Sequence, residues 1–338
     1  MKYSLYAWGE TLAELTQVAR RAEDAGMHRV WTAELTRSPF IPAATMASAT
    51  TRIGVGTGIA LAFVRSPMST ALESLDLDEV ANGRFVLGLG TGVKRLNEDW
   101  HNATFGRPVT HLRETIEIIR KVWDCGPSGA PIDLEGTEAR IRVREWERPF
   151  PSVRQRVPIY VAAIGPAMTK LAGRVGDGWL AHELGSPRYF VEHVQPSIAA
   201  GLKLAARDRA DIDLVASACC VPHTDAKQAK RWAAGLIAFY ATVRTYTDFF
   251  AFHGFGAEAA AVQAAFRAGD RAAMLDAVPD AMVDTLTFAG TATEIRDRLR
   301  AYNGLVDQIK LSPPTHHVPN EVTRLVQSNI LELVDSLR

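Results

Sequence analysis

The chain has 338 residues, 47% of them hydrophobic and 22% charged, the composition of an ordinary folded protein. Its 38 Lys and Arg balance 38 Asp and Glu, so no cationic excess exists to hold nucleic acid or an anionic membrane surface. Three cysteines without CxxC or Cys/His spacing argue against a zinc centre or disulfide framework, and the opening MKYSLYAWGE lacks the apolar core of a signal peptide; a cytoplasmic protein is the expectation.

Short apolar strands alternate with amphipathic helices along the chain. A first strand over 3–8 precedes Thr11-Leu-Ala-Glu14, a capping-box pattern, after which Leu12, Leu15, Val18, Ala19 and Ala22 fall on one helical face. Strands follow over 29–32 and 52–59, then a helix opened by Ser66-Pro67, then a strand over 84–89. Residues 124–157 exceed a plain helix-to-strand link, and the alternation in TEARIRVREW predicts a hairpin or flap. Further strands are expected over 159–162, 178–181, 213–220 and 306–311, with a helix start at Ser186-Pro187 and a second capping box at Thr291–Glu294. Residues 241–284 form a second insertion, helical and irregular, around FFAFHGFG. Eight strands alternating with helices predict an α/β protein of the (β/α)8 barrel class, one domain over 1–338 with insertions near 124–157 and 241–284. An open dinucleotide-binding sheet is the alternative, but no GxGxxG follows the first strand.

Active sites of such barrels form at the carboxyl ends of the strands. After the fifth strand, Ala163, Ile164 and Gly165 lead into a helix begun by Pro166 with no acidic cap, so its amides are open either to water or to an external anion such as a phosphate. The glycine-rich loop GLGTGVKRLNEDW carries Lys94, Arg95 and Asn97 but lacks the order of a P-loop. Residues 57–63 run apolar past the third strand and offer either a pocket wall for a flat ligand or a buried cover. Glu34 ends strand two and His182 ends strand six; either can move protons in a partly buried mouth, and either can be a plain loop residue. His316-His317 reads as a loop, since a metal would need further ligands. Lys310 falls within strand eight, not at its mouth, which argues against a Schiff-base aldolase. Phe249, Phe250, Phe252, His253 and Phe255 are packing residues of the second insertion or stacking residues for a substrate, and both insertions are expected to shape the substrate pocket.

The ordered set AEDAGMHRVWTAE, TTRIGVGTGIALAFVRSPMSTA, LDEVANGRFVLGLGTGVK, IYVAAIGPAMTKLAGRVGDGWLAH, SPRYF and GTATEIRDRLRAYNGLVDQI resembles the luciferase-like monooxygenase superfamily, in particular its actinobacterial branch of coenzyme F420-dependent oxidoreductases. The resemblance implies a barrel with a deazaflavin or flavin across its mouth and a cis peptide at Gly58–Ile59 after strand three. It implies cofactor contacts from Thr57, Gly58, Ile59, Gly90, Lys94, Asn97 and Ala162, phosphate contacts from the amides of Ala163, Ile164 and Gly165 and from His182, no metal, and commonly a homodimer. Sugar-phosphate dehydrogenases of that branch place a histidine after the acidic residue of strand two and a glutamate after the glycines of strand four. Here Leu35 and the Gly92-Val93-Lys94 segment stand instead, which leaves Glu34 and His182 as the proton-handling candidates. The function implied is hydride transfer between F420 and a small organic substrate; an FMN-dependent monooxygenase is the alternative, and a catalytically decayed flavin-binding protein a further one.

Overall fold

The computed structural model describes residues 1–338, and in it eight parallel strands close into a barrel. They are β1 (Lys2–Tyr6), β2 (Arg29–Thr32), β3 (Gly54–Thr57), β4 (Phe85–Gly90), β5 (Ile159–Ala162), β6 (Gly178–Leu180), β7 (Asp213–Pro222) and β8 (Gln308–Ser312). Each strand pairs with the next, and β8 pairs back to β1 with Leu311 opposite Leu5, so no edge is left. The (β/α)8 barrel read from the alternation is the fold, and each expected strand differs only at its ends.

Side chains alternate across each strand. On β8, Ile309 and Leu311 face the surrounding helices and join the main core, while Gln308, Lys310 and Ser312 face the barrel axis. Trp31, Val86, Tyr160, Leu180 and Val215 fill the interior. Glycine at position 56 is required there: a Cβ would lie 2.5 Å from the Trp31 ring. The indole in turn donates to Ser4 Oγ at 2.9 Å, which satisfies its buried N–H. At the amino end of the barrel the Tyr160 hydroxyl donates to Asp213 at 2.6 Å, and the Arg29 guanidinium lies over the Trp31 and Tyr160 rings.

Thr11 caps helix Leu12–Asp24 by accepting from the Glu14 amide. Glu14 itself reaches the Glu10 amide, not that of Thr11, so this start is a half-formed capping box; the one at Thr291–Glu294 is complete.

The two insertions part company. The first is the expected hairpin, Ile132–Glu135 against Arg140–Val143. It leaves the base of the barrel after helix Pro108–Cys125 and climbs the outside of that helix. There the buried Glu114 accepts from the Glu138 and Ala139 amides, and Glu138 pairs with Arg107. Its tip meets Arg107 on the segment after β4, and it makes no ring contact with His182, Tyr240 or Tyr246. The second insertion starts earlier than the irregular composition suggested. Strand Phe288–Gly290 pairs with the outer end of β7 at Cys220–Pro222, so everything from helix Ala226–Ala241 to that strand stands above the mouth.

Candidate active site

Four structures meet at the carboxyl ends of the strands. The first is the turn after β5. Gly165 is the N-cap of helix Pro166–Val175, with extended backbone (φ −74°, ψ 155°) and no acidic residue in the first turn. The amides of Ile164, Gly165, Ala167 and Met168 have no acceptor within the protein, and a Cβ built on Gly165 would meet nothing within 4 Å. Ala163 differs from expectation: its amide donates to the Leu180 carbonyl at 3.2 Å, as part of the barrel ladder. The donor set therefore runs from Ile164 to Met168, around the proline. Ala162 faces inward beside Gly90, where an added Cβ would lie 3.3 Å from that of Ala162.

The second is the bulge after β3, where the Gly58–Ile59 peptide is cis, the geometry the resemblance implied. Thr57 spends its hydroxyl bridging β3 to β4: Oγ1 donates to the Gly88 carbonyl at 2.8 Å and accepts from the Gly88 amide at 2.9 Å. Gly58 donates to the Thr32 carbonyl, and the Ile59 carbonyl accepts from the Glu34 amide. Ile59 leans into the space left by Gly90, where a Cβ would sit 2.3 Å from its Cδ1. Beyond it, Ala60–Leu61 adds a short strand beside Leu89–Gly90, and Ala60, Leu61, Ala62 and Phe63 are buried in packing, the cover and not the open wall.

Glu34 clamps this bulge. Its Oε2 accepts from the Leu61 amide and from Arg65 Nη1, each at 2.8 Å, and Oε1 accepts from Arg65 Nη2. The side chain is 6% exposed. A carboxylate held by a bidentate guanidinium and a backbone amide is a strut. The proton-handling role expected of Glu34 is corrected on that geometry.

The third is the loop after β4. Asn97 is fully buried, and its Nδ2 donates to the Thr91 and Val93 carbonyls at 2.7 and 3.0 Å, which fixes the glycine-rich turn; Oδ1 is buried without a partner. Lys94 and Arg95 are 70% and 84% exposed and pair loosely with Glu98 and Asp99 one helical turn on.

The fourth is an aromatic and charged cluster over the barrel axis. His182 Nδ1 accepts from the Leu184 amide at 3.2 Å, which assigns its proton to Nε2. Its ring meets Tyr240 edge-on at 4.2 Å and Tyr246 at 4.7 Å, both from the second insertion. Burial, then the nearby Lys310 and His316 charges, hold the imidazole pKa down at about 3, so it is neutral at physiological pH. His316, expected to be an ordinary loop residue, stacks on Phe239 at 4.0 Å and faces Tyr240. No group of His, Cys, Asp or Glu in the structure has the arrangement of a metal site.

Glu183 follows His182. Its carbonyl accepts from the Cys219 amide at 3.0 Å, but its carboxylate receives no hydrogen bond and no ion pair. The negative charge is felt around the mouth: burial, seconded by Glu183, pushes the phenols of Tyr6, Tyr240 and Tyr246 up. Lys310 is 5% exposed, with no hydrogen bond or ion pair of its own. Burial lowers its pKa and Glu183 partly restores it; the side chain lies within β8 inside the barrel, as the sequence places it. The composition QIKLS carried the signal, since it alternates polar residues on one face with apolar residues on the other. A cleft lined by Ile164, His182, Tyr189 and Phe249 joins this cluster to the turn after β5. Ser186 ties the two sides of that cleft: its Oγ accepts from the Tyr189 amide and bonds His253 Nε2 at 2.8 Å, while His253 Nδ1 bonds the Phe249 carbonyl. Phe249 thus borders the cleft, whereas Phe250 is core.

Residues 3–308 match the family described as luciferase-like monooxygenase. An uncharacterised protein of Mycobacterium tuberculosis is 31% identical over 309 residues, 88% of this chain and 89% of that one. The F420-dependent glucose-6-phosphate dehydrogenase of Microbacterium testaceum is 33% identical over 183 residues, 52% of this chain and 51% of that one. The solved coenzyme F420-dependent tetrahydromethanopterin reductase of Methanopyrus kandleri superposes with a TM-score of 0.81 over 96% of both chains at 23% identity, which is a likeness of fold.

Proposed function

The chain belongs to the luciferase-like monooxygenase family, and from that premise we propose that it is an oxidoreductase that binds coenzyme F420 and passes a hydride between the deazaflavin and a small organic substrate. The observation that carries the reading is the row of amides at Ile164, Gly165, Ala167 and Met168. They have no protein acceptor, converge at the positive end of a helix, and lie where glycine leaves the approach open. These residues fit a cofactor phosphate. The name of the F420-dependent relative supports the choice of cofactor.

When bound, the cofactor supplies the hydride chemistry. The chain's own residues do the rest. The amides after β5 hold the phosphate. The Gly58–Ile59 bulge, braced by Thr57 and by the Glu34–Arg65 clamp, presents a firm floor for a ring system. The rings of His182, Tyr240 and Tyr246 exclude water above it.

The same amides would accept the phosphate of FMN, so an FMN-dependent monooxygenase is the competing reading. Lys94, exposed and loosely paired, suits the longer acidic tail of F420 and favours the first. Titration of the purified protein with F420 and with FMN by fluorescence quenching tests the proposal. Tight quenching of F420 is expected; a protein that ignores F420 and retains a yellow flavin overturns it.

A further inference from the structure

Consecutive peptides in the turn after β5 each have the carbonyl held. The Ala163 carbonyl accepts from the indole N–H of Trp179 at 3.0 Å. The Ile164 carbonyl accepts from the Tyr189 hydroxyl at 3.2 Å. The Gly165 carbonyl accepts from the Thr169 amide and from Thr169 Oγ1, each at 3.0 Å. The third hold is the ordinary first bond of a helix; the other two come from side chains on β6 and on the segment after it. These peptides are trans, and in a planar trans peptide the C=O and the next residue's N–H point to opposite sides. Holding the Ala163 carbonyl therefore turns the Ile164 amide away from Trp179. Holding the Ile164 carbonyl turns the Gly165 amide away from Tyr189. Both amides are left without an acceptor in the protein.

The Ile164–Gly165 peptide is the one that most needs such a hold. A glycine on its C-terminal side accepts φ of either sign, so this peptide plane can flip at little cost, and a flip would replace the N–H with a C=O. Tyr189 is itself well placed to prevent that. It belongs to SPRYF, where Ser186 Oγ accepts from the Tyr189 amide at 3.0 Å, so the residue is tied at its backbone as well as at its hydroxyl. Its ring is met edge-on by Phe249 at 5.0 Å and Phe252 at 5.3 Å and stacks on His193 at 5.0 Å. The phenol has one hydrogen and commits it to Ile164, which leaves none to donate to a ligand.

We propose that Tyr189 is a positioning residue for the cofactor: its O–H locks the Ile164–Gly165 peptide so that the Gly165 N–H faces the phosphate. This rests on the reading of the cofactor site above and adds the residue that aims it.

Tyr189→Phe keeps the ring and its packing and removes only the O–H. Two probes are titrated against the full chain by fluorescence quenching: F420, and the same deazaflavin ending at its ribityl hydroxyl, without the phosphate. Tyr189→Phe should raise the Kd for F420 about 5- to 10-fold, part of the weight of one amide on a charged acceptor, because the donor remains but is no longer aimed. The phosphate-free probe should bind within about two-fold of the parent, which also shows that the variant folds. A double-mutant cycle separates aiming from general support. Gly165→Pro deletes the amide, so adding Tyr189→Phe to it should cost less than about two-fold further. A merely structural tyrosine would weaken both probes alike, or give the same loss in both backgrounds. Either result overturns the inference, as does parent-like F420 binding by Tyr189→Phe. If Gly165→Pro binds F420 as tightly as Gly165→Ala, the phosphate reading falls and this inference with it. If the amide deletion weakens binding and Tyr189→Phe does not, the phosphate reading stands and the role of Tyr189 alone is refuted.

Discussion

Replacing Gly165 with proline isolates the contribution of one backbone N–H. Gly165 has φ −74°, inside the range of about −65 ± 15° that a proline ring imposes, and ψ 155°, which suits a residue preceding Pro166. Its amide bonds to nothing in the protein, and a Cβ there touches nothing within 4 Å, so Gly165→Pro removes no internal contact. Stability should hold or rise by about 0.4–1 kcal/mol as the unfolded chain loses freedom. The cofactor phosphate, however, loses one hydrogen bond to a charged acceptor, about 1.5–3 kcal/mol, which is roughly a 10- to 150-fold rise in Kd. Gly165→Ala is the control, because it adds the Cβ and keeps the N–H; the ratio of the two variants reports the amide alone. Fluorescence quenching gives Kd and thermal unfolding gives Tm. If the proline variant binds as tightly as the alanine variant with Tm unchanged, the amides do not hold the phosphate and the placement of the cofactor fails.

Glu34→Gln should destabilise the fold by about 2 kcal/mol in urea unfolding, below the full cost of breaking a buried pair because the Arg65 side chain is 20% exposed; an altered pH–rate profile at unchanged stability would return Glu34 to proton chemistry. Lys94→Ala should weaken F420 binding several-fold at low salt, leave FMN binding alone, and change Tm by less than about 1 °C, since its pair with Glu98 is exposed; equal losses for both cofactors would refute the tail contact. His182 supplies a pH test. Its folded pKa lies near 3, below the ordinary 6.5, so between those values the unfolded chain binds the extra proton. Stability should therefore be complete above about pH 7 and fall on acidification through that window, and His182→Gln should flatten the fall in Tm between pH 7 and pH 5; parallel curves would show that the imidazole is not buried neutral.

The barrel was legible because its signals are local. Alternation, capping serines and threonines, and Gly or Asn before several of the strands place eight strands within a few residues of where they lie. The turn after β5 was legible as a helix start without a capping charge, although the sequence could not foresee that the Ala163 amide is consumed by Leu180 across the barrel. Glu34 misled for the same reason in reverse. Its partner Arg65 is 31 positions away, beyond any local pattern, and only the closure of β2 against β3 brings them together. The mouth cluster needed three separate elements to converge: Tyr6 from β1, His182 and Glu183 after β6, and Tyr240 and Tyr246 from the insertion. His182-Glu183 could be located as a strand end, but what surrounds that end is a product of topology.

The Ser186–His253 bond has a consequence for how such enzymes diversify. It stitches the segment that follows His182 and Glu183 to the end of helix Thr247–Phe252, which runs on directly from Tyr246, so that segment and this part of the roof travel together. A chimera that exchanges that helix with a kindred protein but keeps the native 182–189 stretch would cut that stitch. A swap with both junctions outside the two halves would carry a new preference across intact.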